Sequence, residues 1–144
     1  GTIRIEHHPL RGTAIEPSEV PALIDELPVL MVAACAAEGS TQFDGLGELR
    51  VKETDRVQAM VAGLQQLGAQ VQVQGQAVRI EGSQLRGAVV DSAGDHRTAM
   101  SLTLAGLLAT GQTIIRGAEC VQKSFPTFFE VLDDVVGPST VKTD

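Results

Sequence analysis

IRIE at residues 3–6 and LRG at residues 10–12 recur 75 positions later, as VRIE at 78–81 and LRG at 85–87. An alternating apolar and polar run that ends at a glycine is typical of a strand followed by a turn. Because both parts return together and in the same order, the sequence predicts that one supersecondary unit is present twice.

The second half of the unit repeats as well. Residues 38–45 (EGSTQFDG) match residues 110–117 (TGQTIIRG) at an offset of 72, and Lys52 matches Lys123 at an offset of 71. We interpret the small drift in offset as variation in loop length within a real duplication. The predicted organisation is a first unit at about 1–75, a second unit at 76–137, and a tail at 138–144.

Each unit is predicted to run through a strand, the LRG turn, a strand, a helix, a strand and a second helix. In the first unit we expect strands at 3–6, 13–16 and 40–44, helices at 28–38 and 54–67, and a closing strand at 70–74. In the second unit we expect strands at 77–81, 87–91 and 112–116 and helices at 96–109 and 125–136.

The first helix of each unit is apolar on every side. VLMVAACAA at 29–37 and AMSLTLAGLLA at 99–109 carry almost no polar residue, and a helix of this kind must be covered all round. Two units of this size cannot fully cover each other. We therefore expect an α/β body with buried helices surrounded by sheets, in which at least one further unit, or self-association through the exposed apolar helices, completes the cover.

Composition limits the functional classes. The chain has 144 residues, 43% of them hydrophobic, which is enough for a core, and its net charge of −7 argues against nucleic-acid or anionic-membrane partners. Two cysteines without a CxxC motif predict neither a disulfide framework nor a structural metal site, and fit a cytoplasmic setting. The chain starts without Met inside a strand-like run, so we expect a piece of something longer.

The few cations are grouped. Of eleven Lys and Arg residues, five lie in three short motifs: Arg50, Lys52, Arg56, Arg97 and Lys123. The first group stands where a helix is predicted to begin, and a helix N-terminus offers free backbone N–H groups and a positive dipole. The grouping predicts a local anion site within an acidic protein.

Each motif also has an ordinary structural interpretation. KETDR at 52–56 reads equally as a capped helix start with surface ion pairs, and DHR at 95–97 as an exposed cap. Lys123 before Ser124 reads as a plain helix start, and of Asp25 and Glu26 one reads as a capping group and the other as its solvated neighbour. The repeat, however, places Asp25 and the 95–97 group at equivalent helix starts, so all four motifs are predicted to face one end of the body. That end suits a multiply anionic small molecule with proton transfer beside it.

Four stretches resemble, in the same order, the C-terminal part of 5-enolpyruvylshikimate-3-phosphate synthase: LIDELPVL at 23–30, LRVKETDRVQAM at 49–60, DHR-x-A-M at 95–100 and AECV-x-KSFP at 118–126. The resemblance covers residues 1–137. It implies an enolpyruvyl transferase-like inside-out barrel of βαβαββ units, three to a domain, with the active site between two domains. This chain then holds about two of the three units of one domain.

The resemblance implies a reaction of the shikimate pathway, in which the enolpyruvyl group of phosphoenolpyruvate is transferred to the 5-hydroxyl of shikimate 3-phosphate with release of phosphate. No metal or organic cofactor is implied. Asp25 resembles the carboxylate that takes the hydroxyl proton, and Glu53 a second proton-transfer carboxylate. Asp25 also resembles the group that holds this end of shikimate 3-phosphate, Lys52 resembles a contact of the same substrate, and Glu48 stands where some members have an Asn that touches it. Arg56, Arg97 and Lys123, with His96 nearby, match the family's phosphoenolpyruvate-binding cations.

The resemblance also implies a missing partner. The family's other half of the site lies on the N-terminal domain and has a Lys-Ser pair, further arginines and a Ser-Ser-Gln loop, and no segment of this sequence resembles that half. We therefore expect the chain alone to lack transferase activity. The alternative is an anion-binding or interaction module that uses the same repeat without catalysis.

Overall fold

The computed structural model describes residues 1–4, 6–52, 54–137 and 140–142. Its strands are β1 (Ala14–Ile15), β2 (Ser40–Phe43), β3 (Gln70–Gln74), β4 (Ala77–Glu81), β5 (Val89–Asp91) and β6 (Ile114–Arg116). Its α-helices are α1 (Val20–Leu23), α2 (Leu27–Ala36), α3 (Arg56–Gln66), α4 (His96–Leu108) and α5 (Phe128–Val136). Two 3-10 helices, at Leu46–Val51 and Ala118–Lys123, follow β2 and β6.

The strands form two sheets. The larger has the order β1-β2-β4-β3, in which β1 is parallel to β2 and the other neighbours are antiparallel. The smaller is the parallel pair of β5 and β6. Phe43, Val78 and Ile80 of the larger sheet are completely buried and belong to the main hydrophobic core. The sheets thus supply one wall of a core that is completed mainly by helical residues.

The LRG segments form isolated parallel bridges, not turns, so the prediction that they form turns is wrong. The amide of Gly12 donates to the carbonyl of Glu38 at 2.8 Å, and the amide of Gly87 donates to the carbonyl of Thr110 at 2.9 Å, each within an isolated parallel bridge. A side chain on either glycine would collide with the backbone of the neighbouring strand. Glycine is therefore required here by close backbone approach.

The strand predicted at 3–6 is also wrong for the residues that can be described. Residues 3, 4 and 6 lie in no strand, Ile3 is 88% exposed, and position 5 lies outside the described residues. The equivalent strand β4 lies between β2 and β3, whereas no such neighbours flank residues 3, 4 and 6 in the described structure. Without ladder partners, a short alternating segment gains too little to become ordered as a strand.

Helix α2 and helix α4 are the predicted apolar helices, and they pack against each other and against α3. Leu102 of α4 lies directly over Gly63 of α3, where a larger residue would not fit. The cover is incomplete, because Val29 is 37% exposed and Leu108 is 53% exposed. In the described part of the chain, no helix has both the length and the apolar character needed to span a membrane.

Candidate active site

Four charged side chains meet where α2, α3 and α4 begin. Arg56 lies between two carboxylates, with its Nε 2.9 Å from Asp95 Oδ2 and its Nη1 3.3 Å from Asp25 Oδ1. Arg97 approaches from α4, with its Nη2 3.0 Å from Asp25 Oδ2. The three helix starts therefore bring two guanidinium groups to a single shared carboxylate.

The pair of Arg56 and Asp95 is the buried part of this cluster. Their side chains are 3% and 0% exposed. Asp95 is also the N-cap of α4, since its Oδ1 accepts a hydrogen bond from the amide of Thr98 at 2.9 Å. A buried carboxylate of this kind is stable only because an amide and a guanidinium satisfy its two oxygens.

The pKa of Asp95 reflects opposing effects. Burial raises it, but the hydrogen bond from Thr98 and the guanidinium of Arg56 lower it, and the net pKa lies below the ordinary value for aspartate. The charged form is therefore favoured even though the group is removed from water.

Asp25 lies in the turn between α1 and α2, and its side chain is 42% exposed. Asp25 is not the cap of α2 but the residue before it, since Glu26 occupies the N-cap position and makes no side-chain capping bond. The conformation of Asp25 is instead held by Arg97, whose Nη1 donates to the Asp25 backbone carbonyl at 3.1 Å. One arginine thus holds both the backbone and the side chain of Asp25.

The open side of the cluster faces solvent through Asp25 and Arg97. Arg97 is 32% exposed in its side chain, and His96, the residue before it, is half-buried at the start of α4. Both arginines lie in the first turn of a helix, where free N–H groups and the helix dipole favour anions. Two fixed guanidinium groups can bind a carboxylate or phosphate through paired hydrogen bonds.

The two lysine motifs occupy equivalent places. Gly45 and Gly117 have φ of 73° and 72°, and each opens a 3-10 helix that leads to Lys52 or to Lys123. Both lysines are exposed and form no ion pair with any residue that the structure describes. They remain available to a ligand, but the structure does not bring them into the cluster.

Glu48 is exposed on the first of these 3-10 helices. Glu53, the expected second proton-transfer carboxylate, lies outside the described residues. Ser124 ends the second 3-10 helix, and α5 begins at Phe128 with Thr127 as its N-cap, so the helix start predicted at 125 is three residues early.

Part of the KETDR motif is a capped helix start with a surface ion pair, as its ordinary interpretation predicts. Asp55 is the N-cap of α3, accepting from the amide of Gln58 at 2.9 Å, and it pairs with Arg50 at 3.1 Å near the surface. Arg50 also donates to the carbonyl of Gly75. Arg50 and Asp55 therefore stabilise the local fold, while Arg56, one residue further on, points inward to the charged cluster.

Sequence reasoning recognised Asp95 as a helix cap but not as the buried partner of Arg56. The available signal was its place directly before His96 and Arg97, at the start of an apolar helix. The described residues contain no group of three or more His, Cys, Asp or Glu side chains that could hold a metal ion.

A family model described as EPSP synthase (3-phosphoshikimate 1-carboxyvinyltransferase) matches residues 1–132. The chain belongs to the EPSP synthase family. It is 46% identical to the 3-phosphoshikimate 1-carboxyvinyltransferase of Synechococcus sp. (strain JA-3-3Ab) over 141 residues, which are 97% of the chain and 32% of that protein. It is 47% identical to the enzyme of the same name from Coxiella burnetii (strain CbuK_Q154) over 133 residues, or 92% of the chain and 30% of that protein.

Solved structures agree with this family. EPSP synthase from Acinetobacter baumannii matches with a TM-score of 0.83 and 41% identity, over 90% of the chain and 31% of that protein. The enolpyruvyl transferase NikO from Streptomyces tendae matches with a TM-score of 0.68 and 24% identity, over 89% of the chain and 28% of that protein, a likeness of fold alone. The predicted α/β enolpyruvyl transferase fold is confirmed, and the chain spans about a third of the length of its EPSP synthase relatives.

Because the pKa of Asp95 is lowered in the folded chain, we expect the free energy of unfolding to depend on pH in the acid range. The pKa of Asp95 is lower in the folded chain than in the unfolded chain. The stabilisation of the fold by its carboxylate is therefore fully present above the unfolded pKa of about 3.9, and it is lost as pH falls through the folded pKa. We expect unfolding free energy, measured by urea titration with circular dichroism, to fall less steeply below about pH 4 in Asp95→Asn than in the parent chain. Asp134→Asn, at an exposed position, is the control and should keep the parent slope; equal slopes for all three proteins would contradict the assignment.

Proposed function

We propose that this chain is the part of an EPSP synthase that binds phosphoenolpyruvate and activates the 5-hydroxyl of shikimate 3-phosphate. The whole reaction transfers the enolpyruvyl group to that hydroxyl and releases phosphate, within the shikimate pathway of aromatic amino acid biosynthesis. The observation that carries the proposal is the shared carboxylate of Asp25, which lies 3.3 Å from Arg56 and 3.0 Å from Arg97.

The arginines are the proposed phosphoenolpyruvate ligands. That substrate carries a carboxylate and a phosphate, and each guanidinium can hold such a group through two parallel hydrogen bonds. Arg56 is fixed by Asp95 in a buried position, so its orientation costs little further entropy when the ligand arrives. Lys123 adds a point charge at the end of the second 3-10 helix, and His96 stands next to Arg97 in the first turn of α4.

Asp25 is the proposed base. When the anions of phosphoenolpyruvate engage Arg56 and Arg97, they compete with the Asp25 carboxylate for the same N–H donors. The displaced carboxylate is then able to accept the proton of the 5-hydroxyl, provided that the hydroxyl lies within hydrogen-bond distance. Substrate binding and activation of the base are thereby linked through the same two arginines.

The remaining roles follow the resemblance. Glu48, on the first 3-10 helix, and Lys52, directly after it, are proposed contacts of shikimate 3-phosphate. Glu53 is a proposed second proton-transfer group. No metal or organic cofactor enters the proposal. The rest of the enzyme is the required partner, since the chain spans 32% of the Synechococcus relative. We place the reaction in the cytoplasm, where the two free, buried cysteines remain reduced.

The test is complementation in trans. We expect the chain alone to release no phosphate from the two substrates, because half of the charged site is absent. Adding the remaining part of a relative such as the Acinetobacter baumannii enzyme should restore phosphate release. Arg97→Ala in the complemented enzyme should reduce kcat/KM by roughly a hundredfold or more, as expected when a group that stabilises transition-state charge is lost.

Arg79→Ala is the matched control, because Arg79 is an exposed arginine of β4 that pairs with Glu81 at 2.8 Å, outside the cluster. It should leave turnover unchanged. If the chain alone turned over the two substrates at the rate of a full-length enzyme, the proposal that it holds only part of the active site would be wrong. Tight calorimetric binding of phosphoenolpyruvate to the isolated chain, with no turnover after complementation, would favour the non-catalytic module instead.

A further inference from the structure

Arg50 bridges the two ends of the link between the first 3-10 helix and α3, in which Lys52 lies. Its Nη1 donates to Asp55 Oδ2 at 3.1 Å, and its Nη2 donates to the backbone carbonyl of Gly75 at 3.2 Å. Asp55 is itself fixed as the N-cap of α3, because its other oxygen accepts a hydrogen bond from the amide of Gln58. One guanidinium group therefore joins the end of the 3-10 helix, the start of α3 and the turn between β3 and β4.

The turn between β3 and β4 supports this bridge. The amide of Leu46, at the start of the 3-10 helix, donates to the carbonyl of Gln76 at 3.0 Å. Leu46 and Leu49 are completely buried in the main core. The 3-10 helix is thus tied to the turn near both of its ends, by the backbone of Leu46 and by the side chain of Arg50.

Lys52 has few contacts of its own. It is exposed and follows the last residue of the 3-10 helix, Val51, which is 79% exposed. The backbone N–H of Lys52 makes no capping bond to any described residue. A segment with little packing and few hydrogen bonds opens easily unless its ends are fixed. The ends of this segment are the parts of the chain that Arg50 joins.

The second unit shows that the bridge is not needed to form a 3-10 helix. The glycines that open the two 3-10 helices are 72 positions apart, and so are Asp55 and Thr127, the N-caps of the α-helices that follow. At this offset Gln122 stands in the place of Arg50. Gln122 is exposed, and Thr127 makes no side-chain capping bond. A 3-10 helix of equal length therefore forms without the bridge.

The two units differ in where the lysine lies. Lys123 is the last residue of its 3-10 helix, which the amide of Ser124 closes by donating to the carbonyl of Val121 at 3.1 Å. Lys52 comes one residue after the end of its own 3-10 helix. The helix itself therefore holds the backbone of Lys123, whereas the position of Lys52 depends on the bridge of Arg50.

We propose that Arg50 is a positioning residue for shikimate 3-phosphate, which holds Lys52 in place before that substrate binds. This inference rests on the proposed function, in which Lys52 contacts shikimate 3-phosphate. Ordering the backbone of even one residue at the moment of binding weakens affinity, and a site that is already ordered avoids that loss. Asp55 caps α3 through its other oxygen, so the bridge can be removed while Arg56 keeps its place.

The first test is steady-state kinetics of the complemented enzyme. Arg50→Ala should raise KM for shikimate 3-phosphate roughly fivefold to thirtyfold, the factor expected when about one further residue must be ordered on binding. Both kcat and KM for phosphoenolpyruvate should be unchanged, because the lost interaction is equally strong in the ground state and the transition state.

Two further variants show whether the bridge itself is responsible. Asp55→Asn keeps an oxygen that caps α3 but loses the oxygen that accepts from Arg50, so it should raise the same KM. The double variant Arg50→Ala/Asp55→Asn should have no higher KM than Arg50→Ala, since both changes remove one interaction. Gln122→Ala, at the equivalent exposed position of the second unit, is the matched control and should leave both KM values and kcat unchanged.

The second test is NMR relaxation of the backbone amides in the 144-residue chain. In the parent chain the order parameters of Val51 and Lys52 should lie near the value of about 0.85 that is typical of rigid backbone. In Arg50→Ala they should fall to about 0.6 or below. The order parameter of Gln58 should stay high in both proteins, which would show that α3 is intact.

A higher KM for shikimate 3-phosphate alone, together with lower order parameters at Val51 and Lys52, supports the proposal. Unchanged order parameters, or a parent KM in an Arg50→Ala enzyme that turns over, would overturn it and leave the proposed function intact. Equal rises in KM for both substrates would also overturn it, since they would indicate a general disturbance of the site. A complemented parent enzyme without turnover would overturn the proposed function and the role of Arg50 with it.

Discussion

Arg56→Ala is expected to lower the free energy of unfolding by about 3–5 kcal/mol, the cost of breaking a buried ion pair by removing one partner. The variant leaves the Asp95 carboxylate completely buried with the Thr98 amide as its remaining hydrogen-bond donor among the described residues. Part of the loss is therefore the cost of a charge that water cannot reach. Urea unfolding at neutral pH, followed by circular dichroism, measures the difference.

Arg50→Ala is the matched control, because Arg50 also pairs with an aspartate at 3.1 Å but both side chains are about a third exposed. Such a pair contributes about 0–1 kcal/mol. The double variant Arg56→Met/Asp95→Leu removes both charges together, so it should be less destabilised than Arg56→Ala. Its recovery is incomplete because it also loses the capping bond of Asp95, which contributes about 1 kcal/mol. Equal destabilisation by Arg50→Ala and Arg56→Ala would show that burial of the pair of Arg56 and Asp95 does not increase its effect on the free energy of unfolding.

Phe43→Ala should destabilise the chain by about 3–5 kcal/mol, which is typical of removing a fully buried aromatic side chain. Phe43 is 0% exposed and pairs with Ile15 in β1 and with Val78 in β4. Its removal leaves a cavity where the larger sheet meets the helices. Thermal unfolding by calorimetry, together with the urea midpoint, measures the loss.

The control for Phe43 is Phe125→Ala. Phe125 is 40% exposed, and its ring meets Phe128 edge to face with centroids 5.7 Å apart. We expect a loss of roughly 0.5–1.5 kcal/mol, the range for an aromatic pair at a partly exposed site. Equal losses of unfolding free energy in the two phenylalanine variants would contradict the larger contribution expected from the buried Phe43 side chain.

Sequence patterns were most accurate for the elements that have a clear hydrophobic period or a capping residue of their own. Strands β3 and β4 occur at the predicted residues, and α4 begins at His96 as predicted, because Asp95 caps it and an apolar run follows. The 3-10 helices were missed, since the mixed polar and apolar residues of 46–51 and 118–123 show no helical or strand period. The sequence does offer one local signal, the glycine at the start of each helix (Gly45 or Gly117), which adopts a positive φ in the structure.

The site was predictable as a group but not in its pairings. The internal repeat predicted that Asp25 and Arg97 lie at equivalent helix starts, and in the structure they meet each other and Arg56. The two lysine motifs, which were predicted to face the same end, do not join this cluster. Which arginine meets which carboxylate depends on distances between helices that lie far apart in sequence. The burial of Asp95 follows from the packing of α3 against α4, and residue patterns do not contain that packing.

The contact between Asp25 and Arg97 breaks the symmetry of the duplication. The two residues are 72 positions apart, which is also the offset that relates β2 to β6, so the contact joins corresponding regions of the two units. Two identical units would bring like charges together at this point, which is repulsive. The second unit carries a cation where the first carries an anion, and this difference allows the two units to share one charged site.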